Sequence, residues 1–331
     1  MRTVTLGAIG AGRIGKLHAE NILRMPGVQL KVVADPYIDE DWARSKGLIA
    51  ARDPEVVFKD DEIEAVLIFS PSTLHADQII TAAGAGKQIF CEKPIALDPD
   101  RIREALAAVG KAGVKLQIGF NRRFDPEFRR LKQAVDAGEI GKVYLIRITA
   151  RDPALPPIDY VKTSGGMFLD MTIHDFDMAR YLSNSEVKEV FACGAVLVDP
   201  AIGEAGDIDT AITTLKLSNG ALAVIDNSRQ AVYGYDQRIE VFGSKGSIMA
   251  CNRTPTQTVS TTASGVITEK PLYFFLERYQ ESFRAEMEEF VQALREDRDP
   301  SVSGSDGLIS TLIGLAATES MERGKPVRVA A

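Results

Sequence analysis

The sequence predicts an α/β protein in two parts. The first is a parallel, doubly wound sheet, and the second is an α+β domain with a mostly antiparallel open sheet. In the first third, short apolar runs alternate with helical patterns, as in successive β-α-β units. After about Asn121 the pattern changes to alternating apolar and polar segments separated by turn residues, which is typical of antiparallel strands. We therefore expect one domain over residues 1–121 and another over residues 122–331.

Composition excludes several classes of protein. The chain has 331 residues, 45% of them hydrophobic and 26% charged, which suits a globular protein with a sizeable core. A net charge of -7 argues against nucleic acid or an anionic membrane as a partner. No apolar run is long enough to span a bilayer, and we see no signal peptide. The chain has three cysteines, Cys91, Cys193 and Cys251. Because their number is odd and they are widely spaced, we expect reduced thiols in a cytoplasmic protein.

A glycine-rich turn follows the first apolar run, residues 4–9, and precedes a helical pattern. In G-x-G-x-x-G, Gly10 permits the tight turn, Gly12 lets the backbone approach a pyrophosphate, and Gly15 lets the helix pack closely. The helix N-terminus supplies amide donors for the phosphates. The predicted dinucleotide contacts in this turn are Gly10, Gly12, Arg13 and Ile14.

Asp35 indicates which dinucleotide binds. It ends the second apolar run, residues 30–34, twenty residues after Gly15, where a ribose-binding carboxylate is expected. Such a carboxylate accepts hydrogen bonds from the ribose hydroxyls and repels a 2′-phosphate. The next residues, Pro36 and Tyr37, bring no cation. The sequence therefore predicts NAD rather than NADP.

Polar residues follow the ends of two further predicted strands. Strands are predicted at residues 65–69, 88–90 and 116–119, with helices at 74–84 and 99–112. Ligands of doubly wound sheets bind beyond the carboxyl ends of the strands. The residues expected to face the cofactor there are Ser70, Ser72, His75, Glu92 and Lys93. The Lys93 ammonium could polarise a substrate hydroxyl, although a surface lysine fits this position equally well.

A second candidate for chemistry lies in residues 165–182. Two glycines open this segment, and the apolar-rich stretch that follows contains no Pro or Gly, which predicts a helix. Asp170 and His174 are four residues apart, so both would lie on one helical face. A carboxylate beside an imidazole can fix its tautomer and orientation, as in a general-base unit. The isolated pair also fits a helix with a solvated polar edge.

Three motifs together resemble the glucose-fructose oxidoreductase and inositol dehydrogenase family of NAD(P)-dependent sugar and polyol dehydrogenases. They are Gly10-x-Gly12-x-x-Gly15, Glu92-Lys93-Pro94, and Gly165-Gly166 with Asp170-x-x-x-His174. Residues 119–125, 151–157 and 233–236 resemble the inositol-oxidising members, so the resemblance covers essentially the whole chain. It implies NAD-dependent oxidation of a secondary hydroxyl of a cyclic polyol, no metal, and a homotetramer. Some members have His-x-Asn where this chain has Arg151-Asp152, which leaves the substrate isomer open.

The resemblance also implies roles for individual side chains. His174 is the expected general base, Asp170 orients it and Lys93 polarises the hydroxyl, although the proton could instead pass through Lys93. The expected substrate contacts are Lys93, Arg122, Asp152, Asp170, His174 and Tyr235. Arg122 is also a candidate cofactor contact, or simply a salt-bridging residue. Tyr235 could equally be a half-buried aromatic residue of the sheet.

Two other functions fit the sequence. The first is a closely related reaction, the oxidation of a different inositol isomer or of an aldose. The second is a regulatory role, in which the protein binds NAD without catalysis, but a regulatory protein has no need for Lys93, Asp170 and His174 together. With only three histidines, a His-rich metal site is excluded, and no metal is predicted.

Overall fold

The computed structural model describes residues 2–329. The chain forms two compact units. Unit 1 consists of Met1–Asn121 with Glu281–Thr311, and unit 2 of Arg122–Gln280 with Leu312–Ala331. Among the described residues, every helix is too short or too polar to cross a membrane.

Unit 1 contains a six-stranded parallel sheet with helices between its strands. The elements of the first segment are β1 Val4–Ile9, α1 Arg13–Ile22, β2 Val28–Ala34, α2 Glu40–Ser45, β3 Ile49–Ala51, α3 Glu55–Lys59, β4 Ala65–Ile68, α4 Ser72–Gly84, β5 Gln88–Glu92, α5 Pro99–Ala112 and β6 Leu116–Gly119. The strand order is β3-β2-β1-β4-β5-β6 and every pairing is parallel. This is the predicted doubly wound sheet. Because β1, β4 and β5 are neighbours, the turns that follow them share one edge of the sheet.

A helix from late in the chain completes the core of unit 1. It is α12, Gln280–Arg295. Its buried face, which includes Met287, Phe290 and Leu294, packs in one cluster with residues of β1 such as Leu6. Its position in the chain alone would place this segment in the second domain, residues 122–331, whereas it belongs to unit 1. An amphipathic pattern shows that a helix has an apolar face but does not identify the sheet that the face covers.

Unit 2 is built on a seven-stranded mixed sheet. Its elements, together with the C-terminal α13 that both units share, are a 3-10 turn Asn121–Phe124, α6 Pro126–Asp136, β7 Val143–Arg151, α7 Ile158–Val161, α8 Gly166–Asp170, α9 Ile173–Ser183, β8 Val187–Ala195, α10 Pro200–Glu204, β9 Thr210–Leu217, β10 Leu222–Ser228, β11 Asp236–Gly243, β12 Gly246–Ala250, β13 Val259–Thr262, β14 Gly265–Thr268, α11 Phe275–Arg278, α13 Gly304–Arg323 and β15 Val327–Arg328. The order is β12-β11-β7-β10-β9-β8-β15. All pairings are antiparallel except the parallel pair β7 and β10.

Side chains along the strands of unit 2 alternate between buried and exposed positions, as expected for a sheet with one covered face. Asn219 and Gly220 lie in the turn between the antiparallel strands β9 and β10, a residue pair that is typical of hairpins. Several large apolar side chains are nevertheless exposed on the sheet. They are Tyr144, Ile212, Leu222, Phe242 and Met249. The small hairpin of β13 and β14 was not predicted.

Residues 165–182, which were predicted to contain one helix, form the two helices α8 and α9. The amides of Met171 and Thr172 both donate to the carbonyl of Met167, at 2.9 Å each, so the hydrogen-bond ladder slips by one residue there. Asp170 ends α8, while His174 lies in the first turn of α9. The regular four-residue spacing from which we paired Asp170 with His174 is therefore interrupted.

Candidate active site

The glycine-rich turn of unit 1 combines tight packing with one open position. Gly10 has a φ of +101°, and a Cβ there would lie 2.6 Å from the carbonyl of Phe69. A Cβ on Gly15 would lie 2.1 Å from the oxygen of Gly10. Nothing lies within 4 Å of a Cβ placed on Gly12, directly before α1. The open space at a helix N-terminus fits the pyrophosphate of a dinucleotide.

Asp35 is fixed beside this turn by backbone amides. Its Oδ2 accepts a hydrogen bond from Ala11 N at 2.7 Å, and its Oδ1 accepts one from Tyr37 N at 2.8 Å. Each carboxylate oxygen keeps a further lone pair for a ribose hydroxyl. Arg13 and Ile14 form the first turn of α1. This arrangement fits NAD, as the sequence predicted.

The turns after β4 and β5 are linked by a buried histidine. His75 is 1% exposed, with Nδ1 2.8 Å from the carbonyl oxygen of Pro94 and Nε2 2.7 Å from that of Ser70. The Ser70 hydroxyl donates to Gln78 Oε1 at 2.6 Å. Ser72 begins α4. The His75 ring thus contacts the backbone of both turns.

Glu92 ends β5, Lys93 follows it directly, and both are partly exposed. Glu92 Oε1 lies 3.0 Å from Nε2 of the fully buried His18, and Glu286 Oε1 lies 3.7 Å from the same nitrogen. The His18 ring stacks on Phe69 at 4.6 Å. Burial, and then the charge of Glu92, raise the pKa of Glu286 well above its usual range, which favours the neutral form of this carboxyl group. Glu92 is therefore anchored from the core, immediately before Lys93.

Carboxylates of unit 2 gather around a buried arginine. Asp170 Oδ1 accepts a hydrogen bond from the Tyr160 hydroxyl at 2.7 Å, and its Oδ2 lies 3.4 Å from Arg229 Nη1. Arg229 also donates to Asp207 at 2.9 Å. Burial, and then the charge of Asp170, raise the pKa of Asp152 to about 6. We call these five residues the carboxylate cluster.

His174 comes four residues after Asp170 in the chain and is partly exposed. Its neighbour Asp175 is fully buried and accepts hydrogen bonds from Arg122 at 2.5 Å and Asn227 at 2.9 Å. Asn227 in turn accepts one from the Thr172 hydroxyl at 2.8 Å. We call Arg122, Thr172, Asp175 and Asn227 the α9 network. It fixes the first turn of α9, which carries His174.

Two further predicted residues are deeply buried in unit 2. Arg122 is 4% exposed and its guanidinium lies 5.7 Å from the ring centroid of Tyr279. Burial alone would lower the pKa of Arg122, but Tyr279 and Asp175 raise it above its usual value. Tyr235 is 7% exposed and meets Tyr279 edge-on at 5.9 Å. Burial raises the pKa of Tyr235 well above its usual value, so its hydroxyl keeps its proton.

The sequence analysis did not identify Thr172, Asp175 or Asn227, nor Tyr160, Asp207 and Arg229. The partners of Asp175 lie 52 and 53 residues away in the chain, and no local spacing reveals such pairs. One signal was available for Asp175. It is a carboxylate among apolar residues of a helix, and a buried charge there needs a partner.

Comparisons with known proteins agree with this geometry. Residues 4–120 match the oxidoreductase family with an NAD-binding Rossmann fold, and residues 128–249 match the GFO/IDH/MocA C-terminal domain. The myo-inositol 2-dehydrogenase of Thermotoga maritima is 49% identical over 98% of this chain and 98% of its own.

Two solved structures are also similar over nearly their whole length. The crystal structure of a myo-inositol dehydrogenase from Corynebacterium glutamicum is 41% identical, with a TM-score of 0.95 over 99% of both chains. That of scyllo-inositol dehydrogenase from Lactobacillus casei, with bound NAD(H) and scyllo-inositol, is 33% identical, with a TM-score of 0.93 over 100% of both chains. The chain therefore belongs to the GFO/IDH/MocA family and is an NAD-dependent oxidoreductase.

Proposed function

We propose that the protein oxidises a secondary hydroxyl of a cyclic polyol, namely myo-inositol to 2-keto-myo-inositol. The observation that carries this proposal is the carboxylate cluster, whose member Asp170 lies four residues before His174 in the chain. A polyol presents many hydroxyls, each of which can donate and accept a hydrogen bond, and carboxylates with an arginine and a tyrosine offer complementary partners. The likeness to the Thermotoga maritima myo-inositol 2-dehydrogenase supports the same substrate.

The division of tasks follows from the chemistry of each unit. NAD, when bound, supplies the hydride acceptor. The glycine-rich turn and Asp35 hold the dinucleotide, with Ser70, Ser72 and Glu92 as further candidate contacts. Oxidation also requires the hydroxyl to lose its proton. We assign that proton to a ring nitrogen of His174, while the Lys93 ammonium stabilises the developing alkoxide.

Asp170 has a supporting role in this proposal. Its carboxylate, held by Tyr160 and Arg229, would stabilise the imidazolium that His174 becomes. Asp152, Arg122 and Tyr235 remain the candidates for contacts with the other hydroxyls of the substrate.

A second candidate function is oxidation of another inositol isomer or an aldose. Arg151 occupies a position where some family members have histidine, and it is engaged within its own sheet. Its Nε lies 2.6 Å from Asp226 and its Nη1 3.1 Å from the Tyr233 hydroxyl. Of the Arg151-Asp152 pair, Asp152 would then contact the substrate. A different polar group at this position could change which isomer is preferred.

A substrate panel tests both candidates. NADH formation would be measured with myo-inositol, scyllo-inositol, other inositol isomers and common aldoses, with Lys93→Ala as the inactive control. We expect the highest kcat/KM for myo-inositol. Preference for another compound would favour the second candidate. No turnover with any compound, in a protein that still binds NAD, would indicate the regulatory alternative.

We further propose a homotetramer in the cytoplasm. The apolar side chains exposed on the seven-stranded sheet, such as Ile212 at 55% and Met249 at 58%, support association with another copy. The mass in solution from light scattering would test the tetramer, and a monomer would contradict it. Cys91, Cys193 and Cys251 are all free thiols, in keeping with a reducing compartment.

A further inference from the structure

His75 joins two turns that the proposed mechanism uses. Its Nε2 contacts the carbonyl oxygen of Ser70, which follows β4, and its Nδ1 contacts that of Pro94, which follows Lys93. Both distances are below 2.9 Å, and the ring is almost completely buried. His75 is therefore a direct bridge between a predicted cofactor-binding turn and the turn that carries Lys93.

The two contacts cannot both be hydrogen bonds of a neutral ring. A carbonyl oxygen only accepts, whereas a neutral imidazole has a single N–H to donate. Burial lowers the pKa of His75, and the charge of Lys93 lowers it further, whereas the two carbonyls and Glu92 raise it. The net direction is downward, so at neutral pH the ring donates to one carbonyl and turns a lone pair toward the other. A second proton would satisfy both.

We propose that His75 is a positioning residue that sets the place of Lys93 relative to the Ser70 turn, through the close contacts of its two ring nitrogens with the carbonyls of Ser70 and Pro94. This inference rests on the proposed function, because it concerns the role of Lys93 in that reaction. His75 itself need not touch the substrate or the cofactor, because both ring nitrogens already face the backbone. Lys93 would be held through the carbonyl of the adjacent Pro94.

Two amide variants each keep one of the two contacts. In His75→Asn the side-chain nitrogen occupies the place of Nδ1 and can still donate to Pro94. In His75→Gln it reaches the place of Nε2 and can still donate to Ser70. We expect His75→Gln to lower kcat about tenfold or more with little change in the Kd for NAD, because a misplaced catalytic group is costly. We expect His75→Asn to retain kcat and weaken NAD binding.

The measurements are kcat with the best substrate of the panel, the Kd for NAD by fluorescence titration, and the melting temperature. Opposite effects of the two variants support the proposal. Equal effects that follow the loss of melting temperature would show a merely structural histidine and overturn it, as would no effect in either variant.

Nitrogen NMR provides a readout that does not depend on activity. The chain has three histidines, so the His75 signals can be assigned by comparison with the His75→Asn variant. We expect one protonated ring nitrogen at neutral pH, because burial lowers the pKa of His75, and we expect a single tautomer fixed by the two carbonyls. A ring that exchanges freely between its two tautomers would overturn the proposal. If no compound of the substrate panel were turned over, the proposed function would fail instead, while the NMR and NAD results would stand.

Discussion

The cofactor region of unit 1 and the carboxylate cluster of unit 2 are held in different ways. In unit 1 the backbone forms the site: Gly10 and Gly15 pack against carbonyls, and Asp35 is fixed by two amides. In unit 2 side chains hold one another, as Arg229 holds Asp170 from 59 residues away. A substitution can remove one side chain from such a network without changing the path of the backbone. Substitutions in unit 2 should therefore change the reaction rate more than they change NAD binding.

The largest expected effect tests that contrast directly. His174→Ala should lower kcat by about a hundredfold or more, the usual scale for a positioned base, while the Kd for NAD stays within about twofold. Steady-state kinetics and NAD titration on the same preparation would measure both. A comparable loss of NAD affinity would contradict the separation of the two tasks.

The same experiment extends to Asp170. If Asp170 acts through His174, Asp170→Asn should lower kcat, and the double variant should be little worse than His174→Ala. Tyr160→Phe is the matched control, because it removes the hydroxyl that donates to Asp170 and leaves the carboxylate. Single effects that multiply in the double variant would show that the two residues act independently.

The next effect concerns Asp35. Asp35→Ser removes the charge that repels a 2′-phosphate, so the preference for NAD over NADP should fall by about tenfold, which corresponds to roughly 1.4 kcal/mol. The ratio of kcat/KM for the two cofactors measures it. A wild-type protein that uses both cofactors equally would show that Asp35 does not set the choice.

A smaller effect should appear in the pH dependence of substrate binding. The pKa of Asp152 is about 6, so its carboxylate gains a proton as the pH falls below that value. If the carboxylate accepts hydrogen bonds from the substrate, KM should rise several-fold at acid pH, since a neutral acceptor is weaker. Asp152→Asn should have a raised KM at all pH values and lack this rise. A wild-type KM that is independent of pH would remove Asp152 from the substrate contacts.

The smallest effect is on stability and concerns Glu286. Its pKa in the folded protein lies above the unfolded value, so the unfolded state loses a proton that the folded state keeps as the pH rises past about 4.5. Stability falls with rising pH over that interval. Glu286→Gln should therefore raise the melting temperature by about 2 °C or more at pH 8 and by less near pH 5. The exposed Glu288→Gln on the same helix is the control and should change little.

The two regions also differ in how far their sequence predicts them. The glycine-rich turn and Asp35 were predicted because their spacing is local and each residue type has a specific geometric task. The parallel, doubly wound sheet of unit 1 follows from alternating strands and helices. By contrast, the parallel pairing of β7 with β10 joins segments separated by four helices and two strands, and nothing in either segment indicates it. The hydrogen bonds of Asp175 and Asp170 depend on that pairing and on the slip at Met171, so they were not predictable.

Gly12 has a practical consequence. Its φ of -68° suits any L-amino acid, and a methyl group there would meet no atom of the protein within 4 Å. The fold thus tolerates a side chain at the one position of the turn where the dinucleotide needs empty space. A Gly12→Val variant should keep the fold of the protein but should not bind the dinucleotide. Such a reagent would allow polyol binding to unit 2 to be studied by calorimetry without any redox turnover.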